Sequence, residues 1–365
     1  MKGHRRTLLE VLVETNKTVS HRARLRLFLK DPDRKPMAQM LCEIIQLWMR
    51  NGISPIDYYS YLMFKKDVVN MQDYVGSRAS KIREHLDDSY YSWFSLLDNK
   101  LYFHLFFADK PIRIPRLLGY SFGSRVFANG EELSLAGRDE CVAALQLIAS
   151  MSNTGSVFAK PTDSLGGQGV YRFSADEITN MVARDYHNLV SADYIFEETI
   201  LQHDTMSVIH PHSVNTLRID TFRDENGNIL PISAYMRMGT GGHYADNAST
   251  GGCFAGIDLF SGMLKSPAMT LPKMGGRRFS EHPDSGVAFE HFRVPLFSQT
   301  VMLVCDAARI VPQRLVGWDV AVADDGPILI EGNPNYDTRV SELAFGGYRK
   351  NPVYRKVLAE YGHSR

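Results

Sequence analysis

Gly317-Trp318-Asp319-Val320-Ala321-Val322-Ala323-Asp324-Asp325-Gly326-Pro327-Ile328-Leu329-Ile330-Glu331-Gly332-Asn333 reads as two apolar strands joined by a tight turn. With Asp324-Asp325-Gly326 as a three-residue turn, Ala323 faces Pro327 and Asp319 lies directly opposite Glu331. Asn333, two residues on, shares that face. Directly opposed like charges destabilise a sheet, and apolar surroundings enlarge the penalty. A divalent cation between the two acids removes the conflict. Two carboxylates and an amide oxygen suit Mg²⁺ or Mn²⁺. The alternative is that one acid turns to solvent or is protonated.

A second hairpin precedes this one. Leu217 to Phe222 and Ile229 to Met236 flank Asn226-Gly227, a strong turn signal. The two-residue register places Arg218 opposite Tyr235 and puts Arg237 further along the same face. Two guanidinium groups on one face fit a polyanionic ligand, although a salt-bridged surface gives the same pattern. Further upstream, Lys160-Pro161-Thr162-Asp163-Ser164-Leu165-Gly166-Gly167-Gln168-Gly169 lies between two predicted strands, Val157–Ala159 and Val170–Phe173. A Walker loop puts its lysine after the glycines and opens a helix, and a Rossmann loop also opens a helix. Here the lysine comes first and the chain leaves as a strand. That pattern fits either a hairpin loop closing over phosphates or a plain glycine-rich hairpin.

The rest of the chain sets limits. With 365 residues it accommodates about two domains. A composition of 44% apolar and 22% charged residues is that of an ordinary globular protein. Forty-one basic residues balance 41 acidic ones, which argues against a general nucleic-acid binder. The four cysteines form no CxxC pair and read as buried free thiols in a reducing, cytoplasmic setting. Residues 1–98 are rich in helix formers, with apolar residues recurring as Met40, Ile44, Ile45, Trp48 and Met49. The first 36 residues hold ten Lys/Arg against four Asp/Glu. That start is either a solvated helix face or a surface for a membrane or pathway partner. After Asp98 the texture changes to short strands, turns and a few helices, the composition of an α+β protein.

Taken together and in order, these motifs resemble the ATP-grasp superfamily, over about residues 98–345. The resemblance implies two α+β subdomains gripping ATP between antiparallel sheets, preceded by the mainly helical segment. The expected divisions are 1–98, 99–200 for the small subdomain with the phosphate loop, and 201–365 for the large one. Lys100 and Lys160 look like its nucleotide lysines. Ser164, Gly166, Gly167, Gln168 and Gly169 look like its mobile phosphate loop. Glu197, Glu198 and Ile200 look like the hinge that holds adenine, with His203 or Asp204 placed for the ribose. Arg218 and Arg237 look like the arginines of the transition-state site. Asn247, before Gly251-Gly252, is similar to a segment of the glutamate-ligase branch. Asp319, Glu331 and Asn333 match the metal triad. Within the superfamily, Ser213-Val214-Asn215-Thr216-Leu217-Arg218 resembles the sugar-transfer-associated group, which implies surface-polysaccharide biosynthesis. The implied activity is a carboxylate–amine ligase using ATP and Mg²⁺ or Mn²⁺, acting through an acylphosphate on a small carboxylate and an amine. A kinase on the same scaffold and a non-catalytic ATP-binding protein are the alternatives. A homodimer fits the resemblance. Two departures stand out: Ala245 replaces an arginine usual in the glutamate-ligase branch, and residues 1–98 do not look like a Rossmann-type substrate domain. His203, His243 and Asp246 are left as candidates for a general base.

Overall fold

The computed structural model describes residues 26–163, 169–241 and 251–363. The predicted residues Ser164, Gly166, Gly167, Gln168 and Asn247 lie outside them, as do Ala245, His243 and Asp246. After a helical stretch at residues 26–29 come α1 (Met37–Asn51), α2 (Pro55–Ser60), α3 (Arg78–Asp87), α4 (Phe94–Asp98) and α5 (Lys100–Phe107). Pro36 starts α1 and Gly52, at φ 66°, ends it, its N–H donating to the Trp48 carbonyl while the Ile53 N–H donates to that of Leu47. Helix runs on past Asp98 because Asn99 caps α5, its side chain accepting the Leu101 and Tyr102 N–H groups.

The first sheet holds β1 (Leu117–Phe122), β2 (Arg125–Ala128), β3 (Glu131–Ser134), β4 (Ser156–Pro161), β5 (Tyr171–Ser174) and β6 (Tyr194–Glu198). Its order is β3-β2-β1-β6-β4-β5, and all its pairs are antiparallel. Helices α6 (Arg138–Ser150) and α7 (Ile178–Val190) close its core, packing Leu145, Ile148 and Val182 against Val157 and Phe196.

A short helix, α8 (Asp204–Ser207), then leads to the second sheet. This contains β7 (Leu217–Arg223), β8 (Ile229–Met238), β9 (Cys253–Ile257), β10 (Ala268–Met269), β11 (Arg278–Phe279), β12 (Leu315–Ala323) and β13 (Gly326–Asn333). The order is β11-β10-β9-β8-β7-β12-β13. Three helices complete the chain: α9 (Phe297–Ile310), α10 (Thr338–Phe345) and α11 (Pro352–His363). One face of this sheet is apolar. Trp318, Val320 and Leu329 pack there with α9 and with Phe103 and Phe107 of α5. Burying each such phenylalanine is worth roughly 1.5–3 kcal/mol, which fixes α5 against β12 and β13.

The opposite face is shared. Toward its β8–β9 side the N-terminal helical region packs on it: Tyr61, Met63 and Tyr74 meet Tyr235, Phe254 and Leu343. Ile82 and Leu86 of α3 meet Phe222, Leu315 and Tyr348. The helical start is therefore built into the second sheet's core. Among the described residues no helix is long and apolar enough to cross a membrane. All four cysteines are free. Cys141 and Cys253 are buried, but Cys42 is exposed and Cys305 half-buried, contrary to the expectation of four buried thiols. The reason for Cys42 is that it stands on the outward side of α1.

Both decisive hairpins differ from expectation in the same way. In the acidic hairpin Ala323 pairs with Gly326, so the turn is the two residues Asp324-Asp325. That register carried straight down would set Asp319 against Ile330. Instead Val320 pairs with Leu329 and Asp319 with Glu331, because a bulge absorbs Ile330. In the arginine hairpin Arg223 pairs with Ile229, one residue off the expected register, and an irregularity after Thr221/Pro231 restores Arg218 opposite Tyr235. The expected facing pairs are present, reached by a different turn and a compensating bulge.

Candidate functional site

The site forms where the shared face of the second sheet looks toward β4 and β6 of the first. On β7, β8 and β12, three charged side chains meet. Arg218 grips Asp319 with two hydrogen bonds, Nε to Oδ1 at 2.5 Å and a terminal nitrogen to Oδ2 at 2.9 Å. Arg237 reaches the same Oδ2 at 2.9 Å, while its Nε donates to Thr216 Oγ1. Burial alone would push Asp319 up, but the two guanidinium groups outweigh it and hold the carboxyl well below the usual range.

Glu331 is next to this cluster and differs from it. Its carboxyl group is within hydrogen-bonding reach of Asp319. Burial first, and the Asp319 charge second, raise its pKa. Asn333 bridges the two acids, its amide nitrogen 3.3 Å from Glu331 and 3.5 Å from Asp319. Among the described residues no lysine or arginine forms a salt bridge to Glu331. Two close carboxylates with one still short of a cation, plus a side chain that offers an amide oxygen, make an oxygen-rich donor set. It fits a hard divalent cation.

Two lysines face this group. Lys160, on β4, pairs with Glu197 Oε2 at 2.6 Å. Glu197, on β6, is also held by His104 Nε2 at 2.5 Å. Burial would raise Glu197, but Lys160 and His104 win and hold it down at about 2. Lys100 opens α5, its backbone N–H donating to the Thr162 carbonyl at 2.9 Å. Burial lowers the Lys100 pKa, the nearby Glu331 opposes that, and Lys160 adds to it. Lys100, Lys160, Glu331 and Glu197 thus feel one another directly, so the two lysines and the acidic face share one site.

The predicted hinge follows β6. Neither acid there offers its side chain to a base: Glu197 is ion-paired, and Glu198 accepts N–H groups from Asn153 and Thr154. Ile200 packs on Ala321, Ala323 and Ile328, a small apolar patch on β12 and β13. Beyond it, the His203 N–H donates to the Val322 carbonyl at 2.7 Å, and the Asp204 N–H to Asp324 at 3.2 Å. His203 Nδ1 caps α8 by accepting the Thr205 N–H, which weakens its case as a general base. Val322 lies three residues from Asp319, about 10 Å along the strand. The apolar patch around Ile200 and the charged group at Asp319 therefore lie at opposite ends of about 10 Å of one strand. Gly169, which follows the predicted loop residues, has φ 70° and sits against Pro161, where a Cβ would lie 3.0 Å from Cγ. Its carbonyl accepts from the Tyr194 hydroxyl.

Some residues of the site escaped the sequence reading. His104 lies one helical turn after Lys100, so the pair shares a face of α5, and that spacing was the available signal. Asn215 is fully buried and ties Gln202 to the Met206 and His210 carbonyls, bracing the segment that leads into Arg218. Near the end of β8, His210, His282 and Asp284 converge. His282 bonds the Gly239 carbonyl at 2.9 Å and Asp284 accepts the Gly241 N–H at 2.7 Å, so these contacts fasten the chain just beyond Arg237.

No curated protein matches the chain significantly. Solved structures with a similar arrangement include the ATP-grasp ligase PsnB, complexed with a phosphomimetic variant of its minimal precursor, Mg and ADP. It is 14% identical, with a TM-score of 0.38, over 72% of this chain and 58% of that one. D-alanyl-alanine synthetase A from Vibrio cholerae is 12% identical, TM-score 0.41, over 73% and 66%. D-cycloserine synthetase DcsG is 12% identical, TM-score 0.40, over 79% and 80%. The chain spans less than two thirds of PsnB's length. A sequence profile of the sugar-transfer associated ATP-grasp proteins matches residues 83–350, from α3 to just before α11, and so takes in every charged residue of the site. The chain belongs to the sugar-transfer associated ATP-grasp family.

Proposed function

We propose that the protein is an ATP-dependent carboxylate–amine ligase. The observation that carries this reading is the meeting of Lys100 and Lys160 with Asp319, Glu331, Asn333, Arg218 and Arg237 across the two sheets. The adenine of ATP would lie against Ile200, Ala321, Ala323 and Ile328, reading the backbone of the hinge. Lys100 and Lys160 would draw the phosphates across, Lys160 exchanging part of its contact with Glu197 for a phosphate oxygen. Glu331, Asp319 and Asn333 would hold a divalent cation, Mg²⁺ or Mn²⁺, which supplies charge neutralisation at the phosphates.

A substrate carboxylate attacks the γ-phosphorus, the bond to the β-phosphate oxygen breaks, and ADP leaves. Arg218 and Arg237 are fixed by Asp319 before the reaction begins. They present guanidinium charge where the transferring phosphoryl group carries negative charge, at no reorganisation cost. The resulting acylphosphate is attacked at its carbonyl carbon by an amine, phosphate departs, and the amine's proton is lost. The family's link to sugar transfer favours a sugar acid and an amino acid as the pair, in surface-polysaccharide biosynthesis.

The test is phosphate release from Mg-ATP across a matrix of carboxylates and amines, with mass detection. The ligase requires release that depends on one acid and one amine, and an adduct lighter by one water than their sum. Transfer of phosphate to a single hydroxyl compound would replace this reading with a kinase. Tight ATP binding without turnover across sugar acids and amino acids would count against both.

A further inference from the structure

We propose that Arg83, on α3 of the N-terminal helical region, is a positioning residue that holds Asp319, Glu331 and Asn333 in place for their divalent cation. Its side chain is buried, with the residue 3% exposed. One terminal nitrogen donates to the Tyr336 carbonyl and the other to Asn335 Oδ1. Those acceptors come two and three residues after Asn333, in the turn that leads from β13 to α10. An arginine fork fixes two acceptors relative to each other, which a lysine does not do. Hydrogen bonds from a charged donor are also roughly twice as strong as neutral ones. Among the described residues no carboxylate forms a salt bridge with Arg83, so its donors serve the turn. The end of β13 is therefore clamped by a helix that lies 252 residues away in the chain.

The Tyr336 ring carries the clamp inward. The Arg83 Cζ stands 5.6 Å from the ring centroid. The same ring lies over Gly317 of β12, where a Cβ would meet Tyr336 Cγ at 2.9 Å and Arg218 Nη1 at 3.1 Å. Because Gly317 has no side chain, the ring and the Arg218 guanidinium share the space above it. Gly317 also pairs with Asn333 across the hairpin. Arg83, Tyr336 and Arg218 thus form a row that ends on the two-point grip of Arg218 on Asp319. The helix that carries Arg83 is itself anchored to the same hairpin. Asp87, one turn on and sharing a face with Arg83, accepts the Arg314 N–H at 2.6 Å and the Leu315 N–H at 3.3 Å, where β12 begins. So α3 bridges the start of β12 and the turn after β13, the two strands that bear Asp319, Glu331 and Asn333. Arg83 is closed off from solvent, so it acts through the turn and not by touching nucleotide. The inference rests on the ligase reading, which gives those three residues a divalent cation.

The experiment measures binding of a non-hydrolysable ATP analogue to the full chain by calorimetry over a series of Mg²⁺ concentrations, with thermal unfolding of each variant alongside. In the parent, affinity for the analogue should rise with Mg²⁺ to a plateau. Arg83→Met should raise the half-maximal Mg²⁺ concentration about tenfold, with little change in binding without Mg²⁺. Asn335→Ala alters an exposed residue and removes one of the two acceptors. It should shift the midpoint the same way by a smaller factor at an unchanged melting temperature, and it decides the matter should Arg83→Met not fold. The double variant should be no worse than Arg83→Met alone, because both changes cut one contact. Leu86→Ala is the control on the same helix: it should lose melting temperature and keep the parent's Mg²⁺ midpoint. A parent whose nucleotide binding ignores Mg²⁺ overturns the metal reading, and the inference with it. A parent that responds to Mg²⁺ while Arg83→Met and Asn335→Ala behave identically to it overturns the inference alone. A midpoint moved as far by Leu86→Ala as by Arg83→Met does the same, since Arg83 would then do no more than keep the helix folded.

Discussion

Glu197 and Glu331 are the same residue type, each on a strand that lines the space between the sheets, yet they sit in opposite electrostatic states. Glu197 has Lys160 and His104 against it and is held at about 2. Glu331 has Asp319 against it, and burial together with that charge raises it. A buried acid with its cation in place is a finished structural pair. A buried acid whose nearest strong neighbour is another acid is an unfinished one, and a divalent cation completes it. The difference suits the two glutamates to different work: Glu197 steadies a lysine, and under the proposed function Glu331 would hold metal.

Breaking the unfinished pair should have the largest effect. Glu331→Gln is expected to lower Mg-dependent ATP turnover by about 10³-fold or more. Its melting temperature should be unchanged or higher, because the repulsion with Asp319 is gone. Near-normal turnover in that variant would remove Glu331 from the metal site.

The arginines come next, and here stability is the readout. Arg218→Met leaves a buried carboxylate with one of its two cations and should cost about 3–5 kcal/mol in denaturant unfolding. Arg237→Met, at the more open end of the pair, should cost less. Adding Asp319→Leu to Arg218→Met should restore part of the loss. A simple sum of the two single effects would mean the pair is not the energetic unit described.

The pH dependence separates the glutamates further. For Glu197 the folded-state pKa is depressed from 4.5 to about 2. Its stabilisation is therefore complete above the ordinary value and is lost as pH falls from 4.5 toward 2. Glu197→Gln should flatten the acid limb of the stability curve. In the same variant Lys160 loses its anchor, and KM for ATP should change more than kcat. An acid limb identical to the parent's would show that Glu197 is not the group titrating.

The smallest effect belongs to Glu342, a buried acid far from phosphate chemistry. Its carboxylate accepts N–H groups from Val75, Gly76 and Tyr348, yet burial dominates and raises it to about 7. A raised acid stabilises the fold below its ordinary value, and that contribution fades as pH rises through about 7. Glu342→Gln should remove this slope while leaving turnover within about twofold. A thermal-shift series from about pH 4 to 8 spans the interval between the ordinary value and about 7 and reads it directly.

Much of this was legible in the residues. Lys160 before the glycines, and Glu331 with Asn333 on one face of a strand, follow from residue order and strand periodicity. Those are local properties of the chain. His104 was not legible, because a histidine in an apolar helix reads as core until a partner 93 residues away is brought beside it. That α1 leaves part of its apolar surface exposed was not legible either. Its apolar residues read as one wide apolar face, and only packing shows which part of that face the fold covers.

The sequence by itself determined which groups are present and, through the order of motifs, the family. It could not determine the register that makes them meet. A two-residue turn at Asp324-Asp325 would aim Asp319 at Ile330, and the bulge at Ile330 corrects it. The arginine hairpin is corrected in the same way between Asp220 and Thr221. Bulges at these points are chosen by contacts on both faces of the sheet. Trp318, Val320 and Leu329 must reach the core under α9, while Asp319 must reach arginines on β7 and on β8 beyond it. Those demands come from strands and helices distant in the chain, so only the tertiary structure decides them.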